Sequence, residues 1–215
     1  METIMRILSR LILPLLVLLL GGAPALAEAG GASGWSISEA KGHVVVIDTA
    51  GERAARAGMA LSPGATVRTA ARASAVLVRG REFVTMRQNA QLRIPLPAER
   101  RAGGIIQILQ DYGSALFSIG KQKNPHFGVE TPYLAAVVKG TTFIIAVGED
   151  GATLQVTEGA VEAATPDGGA RELVLPGAVA MVAANDTMRL VIEGEGRRVI
   201  DSPARPAGGP AAAAP

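Results

Sequence analysis

The sequence predicts an all-β domain of mostly antiparallel short strands, arranged as a β-sandwich or a solenoid-like stack. Three observations carry that prediction. Apolar residues arrive in short or alternating runs rather than at helical spacing. Gly, Pro, Asp and Asn recur between those runs, where turns need positive φ or a fixed one. Beyond the first 27 residues no amphipathic pattern reaches the ordinary helix length of about 11 residues.

Residues 1–27 read as an export signal. Arg6 and Arg10 precede an unbroken apolar run from Leu11 to Leu20, and Ala25-Leu26-Ala27 ends the segment in the small-residue pattern of a cleavage site. Pro14 and Gly21-Gly22 interrupt the run, whereas a membrane span wants about 20 apolar residues. The expectation is a mature protein of 188 residues starting at Glu28, located in the periplasm and not inserted in the membrane after cleavage. An uncleaved anchor is the alternative. Residues 28–40 are a Gly-rich leading segment, 41–193 the β domain, and 194–215 a disordered Pro/Ala/Gly-rich tail.

Within 41–193, runs such as Val44–Ile47, Ala75–Val78, Phe83–Met86, Ile105–Leu109, Ala115–Ile119, Thr142–Val147 and Thr153–Thr157 are strands. Ser62-Pro63-Gly64, Asp111-Tyr112-Gly113, Gly148–Gly151 and Pro166–Gly169 are turns between them. Arg53–Met59, rich in alanine, is the best place for a short helix. Arg79, Arg81, Arg87 and Arg93 share odd parity, which on one strand face would make a solvated basic stripe.

Composition closes off several functions. The chain has 215 residues, no Cys, one Trp, two Tyr and four Phe, so a disulfide scaffold, a thiolate metal site and a cysteine nucleophile are excluded. Stacking platforms for bases or sugars are nearly absent, which argues against nucleic acid as a partner. His43 and His126 stand alone in their regions, without the spacing of a zinc site, and no serine sits on a glycine-flanked elbow. No enzyme chemistry, cofactor or metal is expected. Charge is uneven: residues 41–101 carry eleven basic and four acidic side chains, residues 102–201 seven basic and twelve acidic. Either an acidic partner meets the first half, or the two halves complement each other.

The most informative stretch is His126–Val147, which contains Val129-Glu130-Thr131-Pro132, then Lys139-Gly140-Thr141, then Phe143. Glu158-Gly159-Ala160-Val161 follows, then Leu175-Pro176-Gly177 before an apolar run. With Leu61–Thr69 upstream, these elements resemble the FecR-domain family in order and spacing over roughly residues 41–185. Ala65 departs from the family, which commonly has an acidic residue in that early turn. The family's regulators join a cytoplasmic anti-sigma segment and a transmembrane helix to a periplasmic domain. Only ten residues precede the hydrophobic segment here, so the resemblance implies the periplasmic β module without the anti-sigma part.

On that resemblance, Thr131, Pro132, Gly140, Thr141, Phe143, Gly159, Val161 and Gly177 are motif positions serving the fold. Pro132 removes a backbone donor and must end a strand or lie on an edge, Gly140 permits a tight turn, Thr141 can bond the local backbone, and Phe143 anchors the core. Lys139 and Glu158 are the candidate partner contacts. The implied function is a non-enzymatic binding or regulatory adaptor in envelope signalling, whose partner is another envelope protein such as a membrane-bound sensor or signalling enzyme. The alternative is a structural envelope scaffold or a cell-wall-associated spacer.

Overall fold

The computed structural model describes residues 34–99 and 105–206. The export signal and the last residues of the tail lie outside the described residues. Eighteen strands run in chain order: β1 (Trp35–Lys41), β2 (Val44–Asp48), β3 (Gly51–Ala54), β4 (Ala60–Leu61), β5 (Thr66–Thr69), β6 (Ser74–Arg79), β7 (Glu82–Met86), β8 (Ala90–Arg93) and β9 (Ile106–Ile119). They continue with β10 (Phe127–Glu130), β11 (Ala135–Val138), β12 (Thr142–Gly148), β13 (Gly151–Glu158), β14 (Val161–Ala164), β15 (Arg171–Val174), β16 (Val179–Ala183), β17 (Asp186–Glu193) and β18 (Arg198–Asp201). The described residues contain no α-helix, only a 3-10 turn at Pro97–Glu99.

All the strands join one hydrogen-bonded network that does not close on itself. The pairings lay it out as two layers. Layer one has the order β4-β1-β6-β7-β9-β12-β13-β16-β17-β18. Layer two has the order β3-β2-β5-β8-β9-β10-β11-β14-β15. Every pair is antiparallel except β9–β10. Alternation along each strand sends one set of side chains inward. Leu77, Val84, Phe117, Ile145 and Leu154 of layer one meet Val46, Val67, Leu92, Ile108 and Val129 of layer two in one core. Phe143 stacks on Phe117 with ring centroids 5.0 Å apart, and Trp35 meets Phe127 edge-on at 6.2 Å.

The strand β9 belongs to both layers. Its first half pairs with β8 and β10, its second half with β7 and β12, and the bend between them falls at Gly113. Gly113 has φ +85°, and a Cβ there would lie 2.4 Å from Ala90 Cα, so no side chain fits. Asp111-Tyr112-Gly113, expected from sequence to be a turn, is therefore a bend within one continuous strand. At this end the chain changes layer repeatedly: at Gly42-His43, at Ala70–Ala73 and at Arg87–Asn89. The changes stack by backbone bonds, Ala70 N–H to His43 O (3.0 Å), Asn89 N–H to Ala70 O (3.3 Å) and Arg87 N–H to Ser114 O (2.9 Å).

Two further expectations are corrected. Arg53–Met59 is not a helix: its first residues pair with β2, Ala55 N–H donates to Val44 O (2.9 Å), and Gly58 turns the chain with φ +82°. Sheet pairing overrides alanine propensity, which is worth only tenths of a kcal/mol per residue. The four odd-numbered arginines do not share a face, because the layer change at Arg87–Asn89 places Arg93 in layer two while Arg79 folds onto Trp35.

The first and last strands lie beyond the central runs. The strand β1, inside the stretch read as a leading segment, buries Trp35 at 1% exposure. The strand β18 pairs with β17, and Ser202 behind it is buried, its N–H donating to Met188 O (2.8 Å) and its hydroxyl to Asp167. Arg205 donates twice to Asp186, at 3.1 and 2.7 Å.

The outer faces of the layers differ. Layer two carries ion pairs, Arg68–Glu52 (3.0 Å), Arg93–Glu99 (3.0 Å) and Arg171–Glu162 (4.0 Å). Layer one presents cross-strand rows with few charges: Val78-Phe83-Ser118-Thr142-Glu158, then Val76-Thr85-Leu116-Ile144-Gln155-Val179-Glu193, then Ser114-Ala146-Thr153-Met181-Val191-Val199.

Candidate functional site

At the end opposite Gly113 a second series of layer changes stacks up, and it holds most of the motif residues. The chain crosses at Gly120–His126, Lys139–Thr141, Gly159-Ala160 and Leu175–Ala178. Ile119 N–H donates to Thr141 O (3.0 Å), Gln122 N–H to Lys139 O (2.7 Å) and His126 N–H to Val138 O (3.2 Å). Gly140 has φ +144°, and a Cβ there would lie 2.4 Å from Lys121 Cα. The glycine thus lets one crossing sit directly on the next.

Gly159 packs against Gly140 O and Thr141, and the Thr141 hydroxyl donates to Ala160 O (2.9 Å). That bond crosses to the next turn of the stack, not to the local backbone as the sequence suggests. Gly177 has φ +86° with open space around it. Phe143 and Val161 are fully buried. Thr131 and Pro132 lie apart, in the β10–β11 hairpin. There the buried Thr131 hydroxyl donates to Leu134 O (2.9 Å) and accepts from Tyr133 N–H (3.1 Å) and Leu134 N–H (2.9 Å). Pro132 sits exposed at the tip, after β10 has ended at Glu130.

What the motif leaves for solvent is charge. Lys139 is exposed between β11 and β12, and Glu158 is exposed at the end of β13. Glu158 pairs with Lys121 at 3.2 Å, with both side chains largely in water, so the pair itself holds little stability. The backbone of Lys121 packs under Gly140, which brings Lys121, Lys139 and Glu158 onto one end face. Arg81, on the β6–β7 turn, and Lys123 extend it, both exposed. Gly120 N–H donates to Arg81 O (3.1 Å), tying that turn to the stack.

Between the β6–β7 turn and Gly120–Gln122 lies a cleft of about 260 Å³, lined by Arg79, Arg81, Glu82, Lys121 and His126. Its floor is a buried polar group that sequence reading missed. Glu82, 6% exposed, accepts from Arg79 Nε at 2.5 Å. Arg79 also donates to Gln107, and its guanidinium lies 4.9 Å from the Trp35 ring centroid. The buried carboxylate is thereby compensated. His126 Nε2 stands 3.5 Å from Glu82 Oε1, and neither ring nitrogen of His126 has a hydrogen-bond partner. No local spacing signals this group, because its members come from different strands and meet only when the layers stack.

A larger cleft of about 490 Å³ lies by the β10–β11 hairpin, lined by Arg93, Glu99, Asp111, Glu130 and Pro132. There the Leu96 backbone N–H and the Arg93 guanidinium hold the Glu99 carboxyl below its ordinary range. Among the described residues no three His, Cys, Asp or Glu side chains are placed to hold a metal ion.

Comparison with known proteins agrees with the motif reading. Residues 65–162 match the family model described as FecR protein, and this stretch is a FecR domain. Two crystal structures of a protein described as an anti-sigma factor from Parabacteroides distasonis share 18% identity with this chain, at a TM-score of 0.49. Each match covers 60% of this chain and 59% of the solved one. The search of curated proteins returned no match.

Proposed function

We propose, from the FecR domain and the charged end face built on its motif, that the protein is a non-enzymatic regulatory adaptor. It acts outside the cytoplasm by contact with another envelope protein. The observation that carries this reading is a division of labour within the motif. Gly140, Thr141, Gly159 and Phe143 are consumed by backbone crossings and core packing, whereas Lys139 and Glu158 project from the same crossings into solvent. A fold that spends its signature residues on positioning an exposed charged face is suited to recognition.

The face is mixed in sign, with Arg81, Lys121, Lys123 and Lys139 around Glu158. A partner surface carrying more acids than bases fits it, and rim charges of this kind govern encounter and specificity more than fold stability. Among the described residues no helix is long and apolar enough to cross a membrane.

The test is crosslinking of the protein in cells, followed by capture with Lys139→Ala and Glu158→Ala variants. Both should keep the wild-type melting temperature and lose capture of the wild-type partner. Unchanged capture, or turnover of an envelope substrate by the purified protein that one point substitution abolishes, overturns the reading.

A further inference from the structure

The charged end face carries one arginine that the fold leaves without a counter-charge. Two arginines and one lysine line the cleft of about 260 Å³ beside the β6–β7 turn. Arg79 is bonded to the buried Glu82, and Lys121 is paired with Glu158 at 3.2 Å. Arg81, exposed on the turn itself, has no ion pair and no side-chain hydrogen bond among the described residues.

Gly120 explains how that guanidinium is held. Its φ is not left-handed, so the backbone conformation does not call for glycine at this position. A Cβ there would instead lie 2.9 Å from Arg81 Cβ and 3.5 Å from Arg81 Nε. The Arg81 side chain thus runs back over position 120, in the space that another side chain would fill. Gly120 N–H donates to Arg81 O (3.1 Å), which fixes the turn and the crossing to each other. A long side chain laid on backbone in this way has less freedom to lose on binding than one that moves freely in water.

Charge and size together select the ligand. With Arg79 offset by Glu82 and Lys121 by Glu158, one positive charge remains, which matches a carboxylate and falls short of a sulfate or phosphate dianion. The planar fork of an arginine takes a carboxylate through two parallel hydrogen bonds. Sites that enclose a whole small-molecule ligand run to roughly 300–1,000 Å³. A cleft of about 260 Å³ therefore takes the end of one side chain. We infer that Arg81 binds a single carboxylate in this cleft, presented by a glutamate or aspartate side chain of the partner. The inference rests on the adaptor reading for the kind of molecule that bears the carboxylate, and it puts that partner's anchor at Arg81.

The test is a titration of the isotope-labelled protein, followed by nuclear magnetic resonance, with the blocked tripeptide glycyl-glutamyl-glycine and its glutaminyl counterpart. The Arg81 Nε–H and Gly120 amide signals should shift saturably with the first peptide and not with the second. An equal response to both overturns the inference, and this arm needs only the wild-type chain. Arg81→Gln should weaken binding by about tenfold or more, as loss of a charge-assisted pair does. Arg81→Lys keeps the charge without the fork and should recover only part of that loss. Arg87→Gln makes the same charge change at the opposite end and should leave binding within about twofold. Binding that survives Arg81→Gln overturns the inference. So does tighter binding of sulfate, which would make the site one for a dianion, or of acetate, which would make it one for a free acid. Peptide selectivity alongside partner capture that ignores Lys139→Ala and Glu158→Ala defeats the adaptor reading and leaves the carboxylate site. Capture that depends on those residues without any peptide selectivity defeats the site and leaves the adaptor.

Discussion

At one end of the sandwich the layer changes stack around Gly113; at the other they stack around Gly140. The first end is built from Gly42-His43, Ala70–Ala73, Arg87–Asn89 and the bend of β9, and two of its left-handed positions are non-glycine, Arg72 (φ 59°) and Asn89 (φ 51°). The second end uses Gly140, Gly159 and Gly177 at its left-handed positions. Both ends also use a threonine. Thr69 donates to Arg87 O (2.6 Å) and accepts from Ala90 N–H (3.0 Å), while Thr141 donates to Ala160 O (2.9 Å). The difference lies in what each left-handed residue touches. Where the neighbouring crossing leaves no room for a Cβ, as at Gly113, Gly140 and Gly159, only glycine fits. Where the residue faces water, Arg72 and Asn89 serve, and Gly177 answers to its φ alone.

The largest effect should come from adding a side chain where two crossings touch. Gly113→Ala and Gly140→Ala each place a Cβ 2.4 Å from backbone and impose a left-handed φ on a residue with a Cβ. Overpacking costs about 1–3 kcal/mol and the φ about 1–2 kcal/mol. Each variant should lose roughly 3 kcal/mol in chemical denaturation. Gly177→Ala meets only the φ and should lose about 1 kcal/mol. Equal losses at Gly140 and Gly177 would break the argument from close approach.

The hydroxyls come next. Thr69→Val removes one side chain that serves two backbone partners in a buried crossing, and leaving such groups unpaired costs about 1–3 kcal/mol. Thr141→Val removes one bond to one carbonyl and should sit at the lower end of that range. A larger loss for Thr141→Val would reverse the ranking of the two ends.

These two ends also show which parts of the molecule the sequence exposes. Strands with apolar alternation, such as Ala75–Val78 and Thr142–Val147, are legible because half of each strand is buried. The strand β3, Gly-Glu-Arg-Ala, is exposed throughout and carries no alternation, so it reads as something else. The continuity of β9 is hidden because a glycine that bends a strand looks like a glycine that ends one. Lys139 and Glu158 are legible through the motif around them. The Arg79–Glu82–His126 group is not, since it depends on which layer each strand joins, and that is set by non-local pairing.

Acid should loosen the C-terminal closure before the crossings. Hydrogen bonds from the Ser202 hydroxyl and then the Thr165 hydroxyl hold the Asp167 carboxyl below its ordinary value of 3.8. Asp201 is lowered in the same way by Arg189. A carboxyl with a depressed folded value contributes stability that is present above the unfolded value and lost as pH falls through the folded one. Amide exchange at Ser202 and Ala204 should therefore accelerate below pH 3.8, while exchange at Thr141 stays slow. Asp167→Asn should flatten that acid response. Acceleration at Thr141 in the same range would mean that the closure and the second end open together.

The smallest effect has the opposite sign. If the first end tolerates Arg72 and Asn89 only because their side chains reach water, replacing them removes the cost of a left-handed φ without opening a cavity. Both are exposed, and the Arg72 backbone N–H donates to Gln88 Oε1 (2.9 Å), so the bond survives a change of side chain. Arg72→Gly should relieve about 1 kcal/mol of φ strain and return part of it as greater freedom of the unfolded chain, for a net gain of a few tenths. Asn89→Gly should gain less, because asparagine occupies this region more readily than arginine. Paired melts of the two variants measure the difference. A loss on Arg72→Gly would mean that its side chain supports the stack, and the two ends would then differ in more than their exposure to water.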